Sequence, residues 1–107
     1  MPRKSDQALN PMSAAVTAHH NATASRYETE VAGCLAVAEY VVEGGRMVFT
    51  HTLVPPQLRG RGIAEILVRA ALEDARGQGR KVVSRCSYVA MFIRRHPEYQ
   101  SLVAELA

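Results

Sequence analysis

The sequence predicts a mixed α+β domain: a three-stranded antiparallel meander, a crossover helix, a parallel fourth strand and short C-terminal helices. Three observations carry this. Strand-like segments follow one another from Ser25 to Val54 with only short glycine-containing turns between them. An amphipathic run then begins at Gly62, with Ile63, Ile66, Leu67, Ala70 and Ala71 at helical spacing. A β-branched run, Lys81-Val-Val-Ser-Arg-Cys86, follows the glycines that stop that helix.

Each element has its own warrant. Met1 to about Ala24 is polar and rich in small residues without a clear period, so 1–24 is expected to be a flexible tail and 25–107 the folded domain. His19 and His20 lie in that tail with no partner at metal-site spacing, and no metal site is expected. Ser25–Val31 alternates, with Tyr27, Thr29 and Val31 on one face, and Ala32-Gly33 turns the chain. Cys34–Glu43 is a second strand, and the paired glycines after it suit a tight hairpin into Met47–Val54. Short links of this kind imply antiparallel pairing. The helix from Gly62 to about Arg76 carries Glu65–Arg69 and Arg69–Glu73 pairs on its polar side and ends at Gly77 and Gly79. A strand, a helix and a second strand form a parallel crossover unit. About Tyr88 to Arg95 reads as a short helix stopped before Pro97, with a last helical turn or two beyond it.

Composition narrows the function classes. The chain has 107 residues, enough for one domain, and 48% of them are hydrophobic. A net charge of +3 from 13 basic and 10 acidic residues permits nucleic-acid binding, but there is no Trp and aromatics are few. An anionic small ligand explains local arginines as well. Two cysteines make no disulfide framework, and no signal peptide is read ahead of them, so reduced thiols in a cytoplasmic protein are expected. No apolar run approaches a membrane span.

The stretch Thr52-Leu-Val-Pro-Pro-Gln-Leu-Arg-Gly-Arg-Gly-Ile-Ala64 organises the rest. It leaves a strand, bends at two prolines and enters a helix through Gly60 and Gly62, flanked by Arg59 and Arg61. Helix N-termini present unpaired N–H groups and partial positive charge, and glycines let a ligand approach the backbone. Two readings follow: a phosphate cradle, or an ordinary loop with a solvated basic face. No Gly-Lys-Ser/Thr follows, so it is not a P-loop, and the dinucleotide fingerprint lacks its third glycine.

The spacing Gln57-x-x-Gly60-x-Gly62 resembles the acetyl-coenzyme A pyrophosphate motif of the GNAT N-acetyltransferase superfamily. The flanking segments Val48–Val54, Pro55–Gly62 and Cys86–Tyr99 look like its small single-domain members, and the likeness runs from about Ser25 to Tyr99. It implies a minimal GNAT fold and an acetyl-coenzyme A-dependent N-acetyltransferase acting on an unidentified amine. The alternative is a coenzyme A binding or sensing module without efficient transfer. By the same resemblance, Gln57 to Ala64 hold the pyrophosphate through backbone amides of Arg59 to Ala64, including Gly60, Gly62 and Ile63. Arg59 and Arg61 are counter-charges, and the Val54 main chain pairs with pantetheine in a wedge between Met47–Val54 and Lys81–Cys86. The lobes that usually shape an amine site are largely absent from so short a chain. An uncovered sheet edge leaves monomer and homodimer both open.

The candidates for chemistry are Cys86, His51 and Tyr88. Cys86 is either a small core residue or a nucleophile. A following helix N-terminus and Arg85 favour the latter through thiolate stabilisation, and the family places a cysteine here near the coenzyme thiol. His51 is either a core or edge histidine or a base, and strict alternation puts it on one face with Phe49 and Leu53. The resemblance implies an acidic residue where Leu53 stands; a leucine takes no proton, so either His51 or a water relay replaces it, or catalysis is weak or absent. Tyr88, or Tyr99, either packs structurally or protonates the departing thiolate. Arg94-Arg95-His96 is either a solvated helix end or a contact for the coenzyme 3′-phosphate.

Overall fold

A computed structural model describes residues 16–104. They form a five-stranded sheet in the order β1 (His19–Asn21), β2 (Arg26–Val31), β3 (Cys34–Glu43), β4 (Arg46–Leu53) and β5 (Val82–Ser84). The first four strands are antiparallel neighbours, and β4 and β5 are parallel across helix α1 (Ile63–Gly77). Helix α2 (Ser87–Arg95) and a 3-10 turn over Pro97–Leu102 complete the fold. Val103 bridges Val82 in parallel, so the chain adds a last contact on the outer edge of β5. None of the described helices is long and apolar enough to cross a membrane.

Two points correct the sequence reading. The tail expectation over 1–24 fails at its end, since His19–Asn21 pairs with Glu28, Tyr27 and Arg26 of β2. The meander therefore has four strands. Three residues carry no periodicity; what holds this strand is distant in sequence. The His20 ring stacks on Tyr27 with centroids 4.2 Å apart, and its Nε2 lies 2.6 Å from the Tyr40 hydroxyl. Residues 1–15 of that segment lie outside the described ones. The buried face of α1 is also rotated. Ile63, Leu67, Val68, Ala71, Leu72 and Ala75 are buried, while Ile66 and Ala70 are half-buried. On its polar side Glu65 bonds Arg69 at 3.3 Å, but Glu73 accepts from the Tyr99 hydroxyl at 2.6 Å instead.

The core lies on one side of the sheet. Tyr27, Ala36, Ala38, Tyr40, Met47, Phe49 and Val82 meet α1 and α2 in one cluster, closed by Tyr99. On the other side Val48, Val83 and Ala104 form a small separate cluster. No described helix covers the rest of that face, where Leu35, Val41 and Leu53 stay exposed.

Burial leads the causes that raise the titration range of all four tyrosines, Tyr27, Tyr40, Tyr88 and Tyr99. Tyr27 also donates to Asp74 Oδ2 at 2.6 Å, and Tyr99 to Glu73. The folded chain thus keeps protons that an unfolded chain releases near pH 10, so this stability is complete below about pH 10 and is lost above it. Each proton retained steepens the loss by about 1.4 kcal/mol per pH unit between the unfolded and folded titration ranges. Phenolate absorbance should therefore rise together with loss of the circular dichroism signal in one steep alkaline transition. Separate tyrosine titration near pH 10 with the sheet intact would contradict this.

Candidate functional site: a splayed strand pair beside an amide-lined loop

A β-bulge sets the site. Across β3 and β4, Tyr40 pairs with Phe49 but Glu39 pairs with His51, so Thr50 is the extra residue. Its hydroxyl donates to Glu39 O at 3.3 Å. The bulge reverses the inside–outside alternation for the rest of β4. Phe49 and Tyr40 face the helices; His51 falls opposite Glu39 on the other face, with Leu53 two residues on. The expectation that His51 shares a face with Phe49 is corrected accordingly.

The bulge also marks where β4 and β5 part. Their parallel pairing runs from Met47–Val82 to Phe49–Ser84, and the Arg85 amide makes one more bond to Phe49 O at 2.9 Å. Beyond this β4 stays paired to β3 through Leu53, but among the described residues no strand lies along its other edge. A wedge opens between Thr50–Val54 and the β5–α2 junction.

The wedge leads to the loop. Pro56–Leu58 is a 3-10 turn anchored by buried Leu58, and Gly60 and Gly62 both take left-handed φ, +81° and +75°. Gly62 caps α1 in that conformation without a side-chain cap. The amides of Gly60, Arg61, Gly62, Ile63, Ala64 and Glu65 find no hydrogen-bond acceptor among the described residues. Such a run at a helix N-terminus is an anion-binding concavity. The amide of Arg59 is the exception to the sequence expectation: it donates to Pro56 O at 3.3 Å within the turn.

A cavity of about 270 Å³ joins loop and wedge. Of the residues singled out by sequence, Val54, Arg59, Gly60, Gly62, Ile63, Ala64 and Tyr88 line it, and Leu58 and Glu65 complete it. Gln57 is exposed in the 3-10 turn and does not line it. Arg61 lines a larger cavity of about 560 Å³ next door with Arg69 and Val16. The smaller one is the better candidate because Tyr88 and the end of β4 reach it. Arg59 Nε donates to Val54 O at 3.0 Å.

Cys86 caps α2, accepting from the Ala90 amide at 3.0 Å. Its Sγ is half-buried and lies 3.4 Å from Thr52 Oγ1, across the wedge. The Ser84 hydroxyl donates to Cys86 O at 2.8 Å and fixes the strand-to-helix bend. Arg85 pairs with Glu43 at 3.6 Å, so its charge is directed to a different partner from Cys86. Tyr88 is held protonated at neutral pH, first by burial and then by the nearby Glu65 carboxylate, against the opposing effect of Arg95. Tyr99 is committed to Glu73 and Arg69.

His51 and Cys86 belong to opposite faces of the sheet. His51 Nδ1 sits 3.6 Å from Glu39 Oε1, with the imidazole 75% exposed. Cys86 packs against the helical side together with Tyr88. Sequence reasoning missed Thr52, Glu39 and Glu65. The first two depend on the bulge, which no composition signal announces, and the third on the spacing of Glu65 along the first turn of α1, which was legible.

A parallel pair that opens beside an amide-lined helix start is an arrangement that suits an acyltransferase. The chain belongs to the GCN5-related N-acetyltransferase family, whose family model matches residues 26–102. It is similar to protein NATD1 of Mus musculus, 32% identical over 90 residues that span 81% of this chain and 82% of that one. Protein NATD1 of Homo sapiens is equally similar, over 80% of its length, and that of Xenopus tropicalis is 30% identical over 93 residues, 84% and 85% of the two chains. Membership places the chain in the acyltransferase class.

Proposed function

We propose that this domain binds acetyl-coenzyme A and transfers the acetyl group to an amine. The observation that carries the reading is the run of amides from Gly60 to Glu65 at the mouth of the wedge, which have no acceptor among the described residues. They would hold the diphosphate, with Arg59 and Arg61 as counter-charges, while pantetheine lies along the free edge of β4 to Val54. The thioester then reaches the Thr52–Cys86 gap. In the covalent route the Cys86 thiolate attacks the acetyl carbon, and the bond to the coenzyme sulfur breaks. The departing thiolate takes a proton from Tyr88. An amine then attacks acetyl-Cys86, its proton passes to the Tyr88 phenolate, and the bond to Cys86 Sγ breaks to release the thiolate. In the direct route a neutral amine attacks the thioester from the open face, the carbon–sulfur bond breaks, the amine's proton passes to His51 and the coenzyme thiolate takes one from Tyr88. The protein is cytoplasmic in this reading, and a monomer or homodimer.

Exposed Leu53 favours a second reading, a coenzyme A sensor without efficient transfer, since the open face has no carboxylate at that position. Mass spectrometry after incubation with acetyl-coenzyme A separates the routes. A +42 Da adduct on Cys86 that an added amine discharges is expected, with turnover in Cys86→Ala reduced by about two orders of magnitude. Unchanged turnover in that variant would remove Cys86 and leave the direct route. Binding without any amine acetylation would leave the sensor.

A further inference from the structure

We propose that Arg59 is a specificity determinant that reserves the wedge for acyl donors carrying a diphosphate. The inference rests on the coenzyme reading above. Val54 directly follows β4, and its carbonyl is the last main-chain acceptor before the chain turns at Pro55. Arg59 Nε donates to that carbonyl at 3.0 Å, closing the 3-10 turn back onto the strand end. This is the one polar side-chain contact of Arg59 among the described residues. Of the neighbouring charged groups, Glu65 is paired with Arg69, and Arg61 lines the adjacent cavity. The guanidinium therefore covers an acceptor that a ligand amide lying in the wedge needs.

Ligands differ in what they offer Arg59 in exchange. A diphosphate at the Gly60–Glu65 amides lies next to Arg59 in the loop and can take its guanidinium in a charge-assisted, forked contact. Such a contact is stronger than an exposed bond to a neutral carbonyl, so the guanidinium moves over and frees Val54 O. A pantetheine arm without the diphosphate must displace the same guanidinium with nothing to compensate it. Arg59 thus attracts the complete coenzyme and disfavours its truncated arm.

The test is Arg59→Met, which keeps the stem but loses charge and donors at an exposed position. Affinities of coenzyme A and pantetheine are measured on both proteins by NMR titration, with pantetheine carried to tens of millimolar. Coenzyme A should bind about tenfold more weakly to the variant, while pantetheine binds about two- to fivefold more tightly. Opposite directions are the signature. Weakening of both ligands alike, or no gain for pantetheine, overturns the proposal while leaving the coenzyme reading intact. No coenzyme A binding to the unaltered protein overturns both.

Discussion

Gly62→Val should abolish coenzyme A binding while leaving a folded domain. Gly62 sits at φ +75° as the first cap of α1, a conformation that costs a β-branched residue about 1–2 kcal/mol. A Cβ added there meets no heavy atom of the described residues within 4 Å, so strain and not collision is the local penalty. The domain loses part of its stability, because the core under α1 does not involve Gly62. The loss of function is larger. Relieving the strain turns the Gly62 peptide and scatters the amides that flank it. Each bond from an amide to a charged acceptor is worth about 1.5–3 kcal/mol, so losing even two corresponds to a fall in affinity of at least a hundredfold. A thermal shift with millimolar coenzyme A reads both effects: a lowered melting temperature, and no rise on adding ligand. A variant that still gains several degrees from coenzyme A would show that the loop amides do not hold it.

Leu53→Glu should raise amine acetylation on the order of a hundredfold, as a positioned general base does. Leu53 is 58% exposed, so the change falls where surface substitutions shift stability by only about 0.5 kcal/mol. Thr50 makes the prediction specific. Because the bulge reverses β4, position 53 joins His51 on the open face, opposite Val37 of β3. A carboxylate there reaches an amine arriving from that side without entering the Cys86 pocket. The rate constant for transfer to a small primary amine, measured from below to above neutral pH, should gain a rising limb from the new acid. Unchanged transfer with coenzyme affinity retained would mean that the amine approaches from the other face.

Much of this architecture was legible because local chemistry dictates it. Ala32-Gly33 and Gly44-Gly45 fix two hairpins, both with positive φ at each turn residue, and the Cys34–Glu43 strand falls where its pattern put it. The shape of the loop was legible too, since Gly60 and Gly62 before an apolar helix start suit the left-handed turn seen there. What was hidden depends on pairing between distant segments. His19–Asn21 becomes a strand through Tyr27 and Tyr40, which no short window contains. The bulge at Thr50 inserts one residue into an otherwise regular alternation, and that slip moved His51 to the far face and brought Thr52 to Cys86. Arg59 read as a free counter-charge; its bond to Val54 O depends on how the 3-10 turn folds back.

The central claim is that the loop amides receive a diphosphate. The most direct measurement is an amide nitrogen–proton NMR spectrum recorded with coenzyme A, with ADP and with pantetheine. Coenzyme A and ADP should both move Gly60, Arg61, Gly62, Ile63 and Ala64 most, while pantetheine moves Thr52 to Val54 and leaves those amides nearly still. Shifts from coenzyme A that spare Gly60 to Ala64 and gather instead around Val16 and Arg69 would contradict it.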